Sequence, residues 1–85
     1  LMRGNMQKTL TSKRHKALIE LLIEYREKAG LTQTELAEQL GEYQSFVARL
    51  ESGQRRLDVI EFLRLAKLLK YDETDVLKAL KRISD

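Results

Sequence analysis

The stretch Gln33 to Ser52, QTELAEQLGEYQSFVARLES, constrains the fold more than any other part of the chain. Its apolar residues Leu36, Ala37 and Leu40 precede Gly41, and Val47 and Leu50 follow it. Spacings of three and four place each set on one face of a helix. Gly41 is the residue type that enters a left-handed turn without steric cost. Ala37 is small and lets a second helix approach closely. The pattern predicts two short helices joined by a tight turn, with Val47, Leu50 and Phe46 directed inward from the second. Tyr43, Gln44, Ser45, Ala48, Arg49 and Ser52 then occupy its opposite side.

The flanking sequence reads as further helices. A first helix is predicted from near Ser12 to Ala29, with Leu18, Leu22 and Tyr25 on one stripe and Ile19, Ile23 and Arg26 beside it. Gly30 supplies its left-handed stop. Leu31-Thr32-x-x-Glu35-Leu36 has the form of a capping box inside a hydrophobic staple, and Leu57-Asp58-x-x-Glu61-Phe62 repeats it. Tyr71-Asp72-x-x-Asp75-Val76 is a weaker copy. These mark the starts of the second, fourth and fifth helices. Gly41 and Gly53 mark the ends of the second and third. The third, near Gln44 to Ser52, lacks a good cap, because Tyr43 stands where Ser or Thr is preferred. In the fifth, Val76, Leu77 and Leu80 are expected to close the core, and any of them left exposed would form a self-association patch.

No segment alternates with period two, so an all-α chain of five helices is expected. The absence of Pro suits it, since no helix interior is broken. Eighty-five residues make one small domain, with little room for an enclosed active site. Residues 1–11 read as a basic, flexible arm and 12–85 as the single domain. With no Cys, disulfides and thiolate metal sites are excluded, which fits a cytoplasmic protein. No apolar run approaches the roughly 20 residues that span a bilayer. Arg3, Lys8, Lys13, Arg14 and Lys16 give the first sixteen residues +5 with no acid, leaving −2 for the rest of a chain of net charge +3. Such a patch attracts polyanions. His15, the single His, lies among cations and has no ligand partners spaced around it, so it is expected at the surface. No nucleophile–base pair, metal cluster or phosphate-cradling loop appears, so neither an enzyme nor a cofactor or small-molecule ligand is expected.

LTQTELAEQLG followed by QSFVARLESGQRRLDVIEFLRLAKLL resembles the lambda-repressor-like DNA-binding domain, the Cro/CI type of the XRE family. The resemblance runs from about Leu18 to Leu80. It implies that the third helix enters a DNA major groove, with Gln44, Ser45 and Arg49 at positions that read base edges. Gln binds adenine and Arg binds guanine in a bidentate way. Gln33 matches a phosphate contact at the start of the second helix, where free N–H groups favour anions. Thr34, Tyr43 and Ala48 are expected to contact DNA beside them. Gln54, Arg55 and Arg56 match a loop that touches the backbone. Arg26 and Glu51 match a structural ion pair bridging the first and third helices. Two residues depart from the family pattern: Tyr43 replaces a small cap, and Glu42 replaces an apolar residue. Tyr43 is expected against a phosphate or sugar, with Phe46 supplying the core area that Glu42 does not.

The resemblance therefore implies sequence-specific binding of a double-stranded DNA operator, by a bacterial or phage transcriptional regulator acting as a homodimer and as a repressor rather than an activator. The competing reading keeps the fold but uses it to hold a protein, as an antitoxin-like or adaptor module. Fold does not separate the two.

Overall fold

A computed structural model describes residues 10–84. Residues 1–9 of the expected arm, with Arg3 and Lys8, lie outside the described residues. Five helices follow in order: α1 Lys13–Lys28, α2 Gln33–Leu40, α3 Gln44–Glu51, α4 Val59–Leu69 and α5 Glu73–Lys81. No strand occurs among the described residues. α1 packs on α3 and α5, α2 on α3 and α4, and α4 on α5. Among the described residues, no helix is long and apolar enough to cross a membrane.

The helix starts follow the local chemistry. Thr32 and Asp58 each accept from the backbone N–H three residues on, and Glu35 and Glu61 accept in return from the cap N–H. Both capping boxes are complete, which satisfies two orphan donors at each end. The weaker copy behaves differently: Asp72 accepts from Thr74 N–H, without a reciprocal bond. Ser12 caps α1 through His15 N–H. Tyr43 provides α3 with no side-chain cap.

Gly41 adopts φ 73°, and the N–H groups of Gly41 and Glu42 donate to Glu38 and Ala37 carbonyls at 3.1 and 2.9 Å. This doubly bonded end reverses the chain within two residues and swings α3 back against α2. α4 ends in the same left-handed region at Lys70, φ 60°, where no glycine signals the stop. There Tyr71 N–H reaches back to the Ala66 carbonyl at 3.2 Å.

One core serves all five helices. Ile19 and Leu22 from α1, Leu36, Ala37 and Leu40 from α2, and Val47 and Leu50 from α3 meet Phe62, Leu65, Ala66 and Leu69 of α4 and Val76 of α5. Tyr71, read from sequence only as a staple residue, belongs to this core. Its ring lies 5.0 Å from Tyr25 and 5.4 Å from Phe62, centroid to centroid, and its hydroxyl donates to the Phe62 carbonyl at 2.6 Å. Burial holds the phenol protonated well above its ordinary range.

Two expectations fail here. Leu77 does not close the core: it is half exposed, because α5 turns Val76 and Leu80 inward and leaves Leu77 on its outer side. His15 is not at the surface. It is 7 % exposed, on the stripe it shares with Ile19 and Leu22, and its Nε2 has no hydrogen-bond partner among the described residues. Spacings of four and seven along α1 carried that signal, and the neighbouring cations obscured it.

Burial lowers the pKa of His15 below 6.5 by disfavouring the charged form. The unfolded chain therefore takes up this proton first as pH falls. Stability is complete above pH 6.5 and declines as pH drops from there toward the lowered folded value. Urea unfolding measured across pH 5–8 is expected to show this decline, and His15→Leu is expected to remove the part of it due to this group.

Candidate nucleic-acid interface

α3 is held by Val47 and Leu50, at 0 % and 2 % exposed, which fixes the rotation of the helix about its own axis. That rotation leaves Gln44, Ser45 and Arg49 exposed, with Ala48 partly covered. Tyr43 is 84 % exposed just before the uncapped helix start. Glu42 is also exposed, and Phe46 packs on the edge of the core. The N-terminus of α2, with Gln33 partly buried and Thr34 exposed, lies beside this surface: the Gln44 side-chain amide donates to Gln33 Oε1 at 2.9 Å.

Beneath the surface, Arg26 of α1 grips Glu51 at the end of α3. Its Nε donates to Oε2 at 2.7 Å and its Nη2 to Oε1 at 3.0 Å. Nη1 donates to the Leu31 carbonyl at 2.8 Å. The two side chains are 13 % and 7 % exposed. The Glu51 hydrogen bond holds the guanidinium protonated above its usual range, outweighing the opposite pull of burial. Glu51 Oε1 also accepts from Gln33 Nε2 at 2.9 Å. One carboxylate therefore ties α1, α2 and α3 together directly below the exposed face. The family resemblance implied the pairing of Arg26 with Glu51 but not that Gln33 would join them.

The loop after α3 divides its cations. Gln54 and Arg56 are exposed. Arg55 is instead directed back onto the protein: its guanidinium lies 4.4 Å from the Phe46 ring centroid and bonds Glu61 at 3.1 and 3.3 Å. Glu61 is the capping-box residue of α4, so Arg55 fastens the loop to that helix. In the basic segment, Arg14 is likewise engaged. Its Nε donates to the carbonyls of Leu80 and Ile83 at 3.0 and 2.9 Å, at the end of α5. Lys13 and Lys16 remain exposed.

The sequence matches the family model for helix-turn-helix over residues 22–76, from the middle of α1 into α5. A solved structure described as an XRE-family like protein from Pseudomonas syringae pv. tomato is 43 % identical, with a TM-score of 0.78, over 96 % of this chain and 100 % of that one. The chain belongs to the XRE-type helix-turn-helix family. No curated protein matches the sequence.

XRE-type helix-turn-helix domains are DNA-binding transcription regulators, and the chain shares that general activity. In this XRE-type domain, α2, the Gly41 turn and α3 form the helix-turn-helix unit, and the ion pair sets the position of its second helix. Arg26→Ala is expected to destabilise the fold by ~3–5 kcal/mol, because the buried Glu51 charge is left unpaired. Replacing both partners by apolar residues, Arg26→Met with Glu51→Leu, is expected to cost much less. Denaturant midpoints of the three proteins at neutral pH check this.

Proposed function

We propose that the chain is a repressor that binds a double-stranded operator as a homodimer, with α3 in the major groove and the N-terminus of α2 against the backbone. The observation that carries this reading is the exposed row Gln44, Ser45 and Arg49 on a helix whose inner face is locked by Val47 and Leu50. A helix fits the major groove, and these side chains supply the donors and acceptors that distinguish base pairs there. Thr34, Tyr43 and Ala48 border the groove, and Tyr43 is long enough to reach a phosphate. Gln54 and Arg56, with Lys13 and Lys16, supply backbone contacts. Arg55 supports the loop from behind. Repression requires only that the operator be occupied, whereas activation requires a further productive contact with the transcription machinery.

Residues 12–85 act as one domain, with 1–11 as its arm. For pairing, α4 offers Val59, Ile60 and Leu63, which are 69 %, 66 % and 45 % exposed. They follow directly on the loop beside the DNA-reading face. Two-fold pairing there would let both copies of α3 reach successive major grooves about 34 Å apart.

Selection of bound sequences from a random DNA pool is expected to return a two-fold symmetric motif, and recovery of no motif would count against the proposal. Arg49→Ala is expected to weaken the selected site by ~1–3 kcal/mol and relax one base position per half-site. Arg56→Ala is expected to weaken all sequences alike and to reduce the log–log salt slope by about 0.9 for each phosphate the side chain neutralises. Ile60→Asp is expected to leave the helical content intact while abolishing two-fold occupancy, read by sedimentation of the protein–DNA complex.

A further inference from the structure

We propose that Glu51 is a positioning residue for base selection: by fixing which end of the Gln33 amide faces it, Glu51 fixes the order in which Gln44 presents donor and acceptor to DNA. The proposal rests on the reading of Gln44 as a base-contacting residue and adds what governs its preference.

A carboxylate has acceptor oxygens only. Glu51 Oε1 lies 2.9 Å from the Gln33 side-chain amide, so the NH2 end of Gln33 must face it. The carbonyl end of Gln33 then points the other way, 2.9 Å from the amide of Gln44. A carbonyl oxygen is satisfied there only by the NH2 of Gln44. What Gln44 has left for the groove is its carbonyl oxygen and its second N–H, in one order and not the reverse.

Order matters because adenine offers an N6 donor beside an N7 acceptor, in a fixed sequence across the groove, whereas guanine offers two acceptors. An amide held in one sense matches adenine in one strand orientation. An amide free to turn over presents donor and acceptor in either sense and discriminates less. The fixed point of the relay is rigid. Glu51 is held by Arg26 through both carboxylate oxygens, and its side chain is 7 % exposed. A guanidinium stays charged at any pH the fold survives and can only donate. The sense of the two bonds above it, Gln33 to Glu51 and Gln44 to Gln33, thus follows from an acceptor-only group that Arg26 of α1 holds in place.

The test compares base preference ratios rather than affinities. An unfolded fraction lowers every affinity alike, so a merely structural role leaves the ratio unchanged. Affinities of the full chain are measured by fluorescence anisotropy on the selected operator and on the three base changes at the pair whose preference Gln44→Ala removes. That removal is expected to be about 5-fold or more, from the worth of one bidentate pair. Gln33→Met keeps the Arg26–Glu51 pair, and Glu51→Gln keeps the shape while offering a donor as well as acceptors. Both are expected to cut the adenine preference at that pair by about 3-fold or more while leaving preference at the other pairs unchanged. Exchanging the two groups, Gln33→Glu with Glu51→Gln, returns an acceptor-only group opposite Gln44, and the preference is expected to return although overall affinity falls. Loss of no preference in Gln44→Ala overturns the base-reading role and the relay with it. Loss in Gln44→Ala, with wild-type ratios in Gln33→Met, overturns the relay alone. Wild-type ratios in Glu51→Gln overturn the part assigned to Glu51.

Discussion

A single buried carboxylate, that of Glu51, organises the helix-turn-helix half of the molecule. It receives two bonds from Arg26 and one from Gln33, while Arg26 also holds the carbonyl of Leu31 just past the end of α1. Hydrophobic contacts alone position a helix loosely, because apolar side chains attract without direction. The bidentate pair adds the missing direction, since its two parallel bonds tolerate little rotation. α3 is therefore located by Val47 and Leu50 from within and by Glu51 at its end. Removing either restraint would leave the outward residues intact in chemistry but displaced in space, and groove readout is sensitive to displacement.

Arginine does much of the structural work elsewhere too. Arg64 donates to the Leu40 carbonyl at the end of α2, Arg14 to carbonyls at the end of α5, and Arg55 to the capping residue of α4. Helix C-termini carry partial negative charge and unpaired carbonyls, and a forked cation satisfies both. The consequence is electrostatic. A count of basic residues overstates the charge available to a polyanion, because Arg26 and Arg55 are paired with carboxylates and Arg14 and Arg64 are directed onto backbone carbonyls. The exposed positive charge that remains near α3 is carried by few residues, Arg49 and Arg56 foremost.

Much of this was legible in the sequence where the governing rule is local. Capping boxes at Thr32 and Asp58 and glycine stops at Gly30 and Gly41 depend on neighbours within a few positions, so the helix boundaries could be read directly. The outward set on α3 could be read because its period is set by two inward residues. What escaped depended on tertiary placement. Lys70 ends α4 without a glycine because packing on both sides imposes the turn. His15 is the exception, since its spacing from Ile19 and Leu22 carried the signal and its flanking cations obscured it. Leu77 is exposed because α5 turns Val76 and Leu80 toward the core. Arg14 and Arg55 could not be separated from the cations left exposed, since nothing in their neighbours reveals a carbonyl or carboxylate brought from another helix. For Gln33 the place at the start of α2 was legible, but its bonds to Glu51 and Gln44 depend on how three helices meet.

Arg14 stands at the opening of α1, and the carbonyls it holds belong to Leu80 and Ile83, 66 and 69 positions later. The first and last helices thus start and finish side by side. A short peptide could join the two ends, and new ends could be opened at an exposed turn away from α3, giving a circularly permuted domain with the same core. By the same geometry, anything fused before α1 and anything fused after α5 would leave the domain from neighbouring points on its surface.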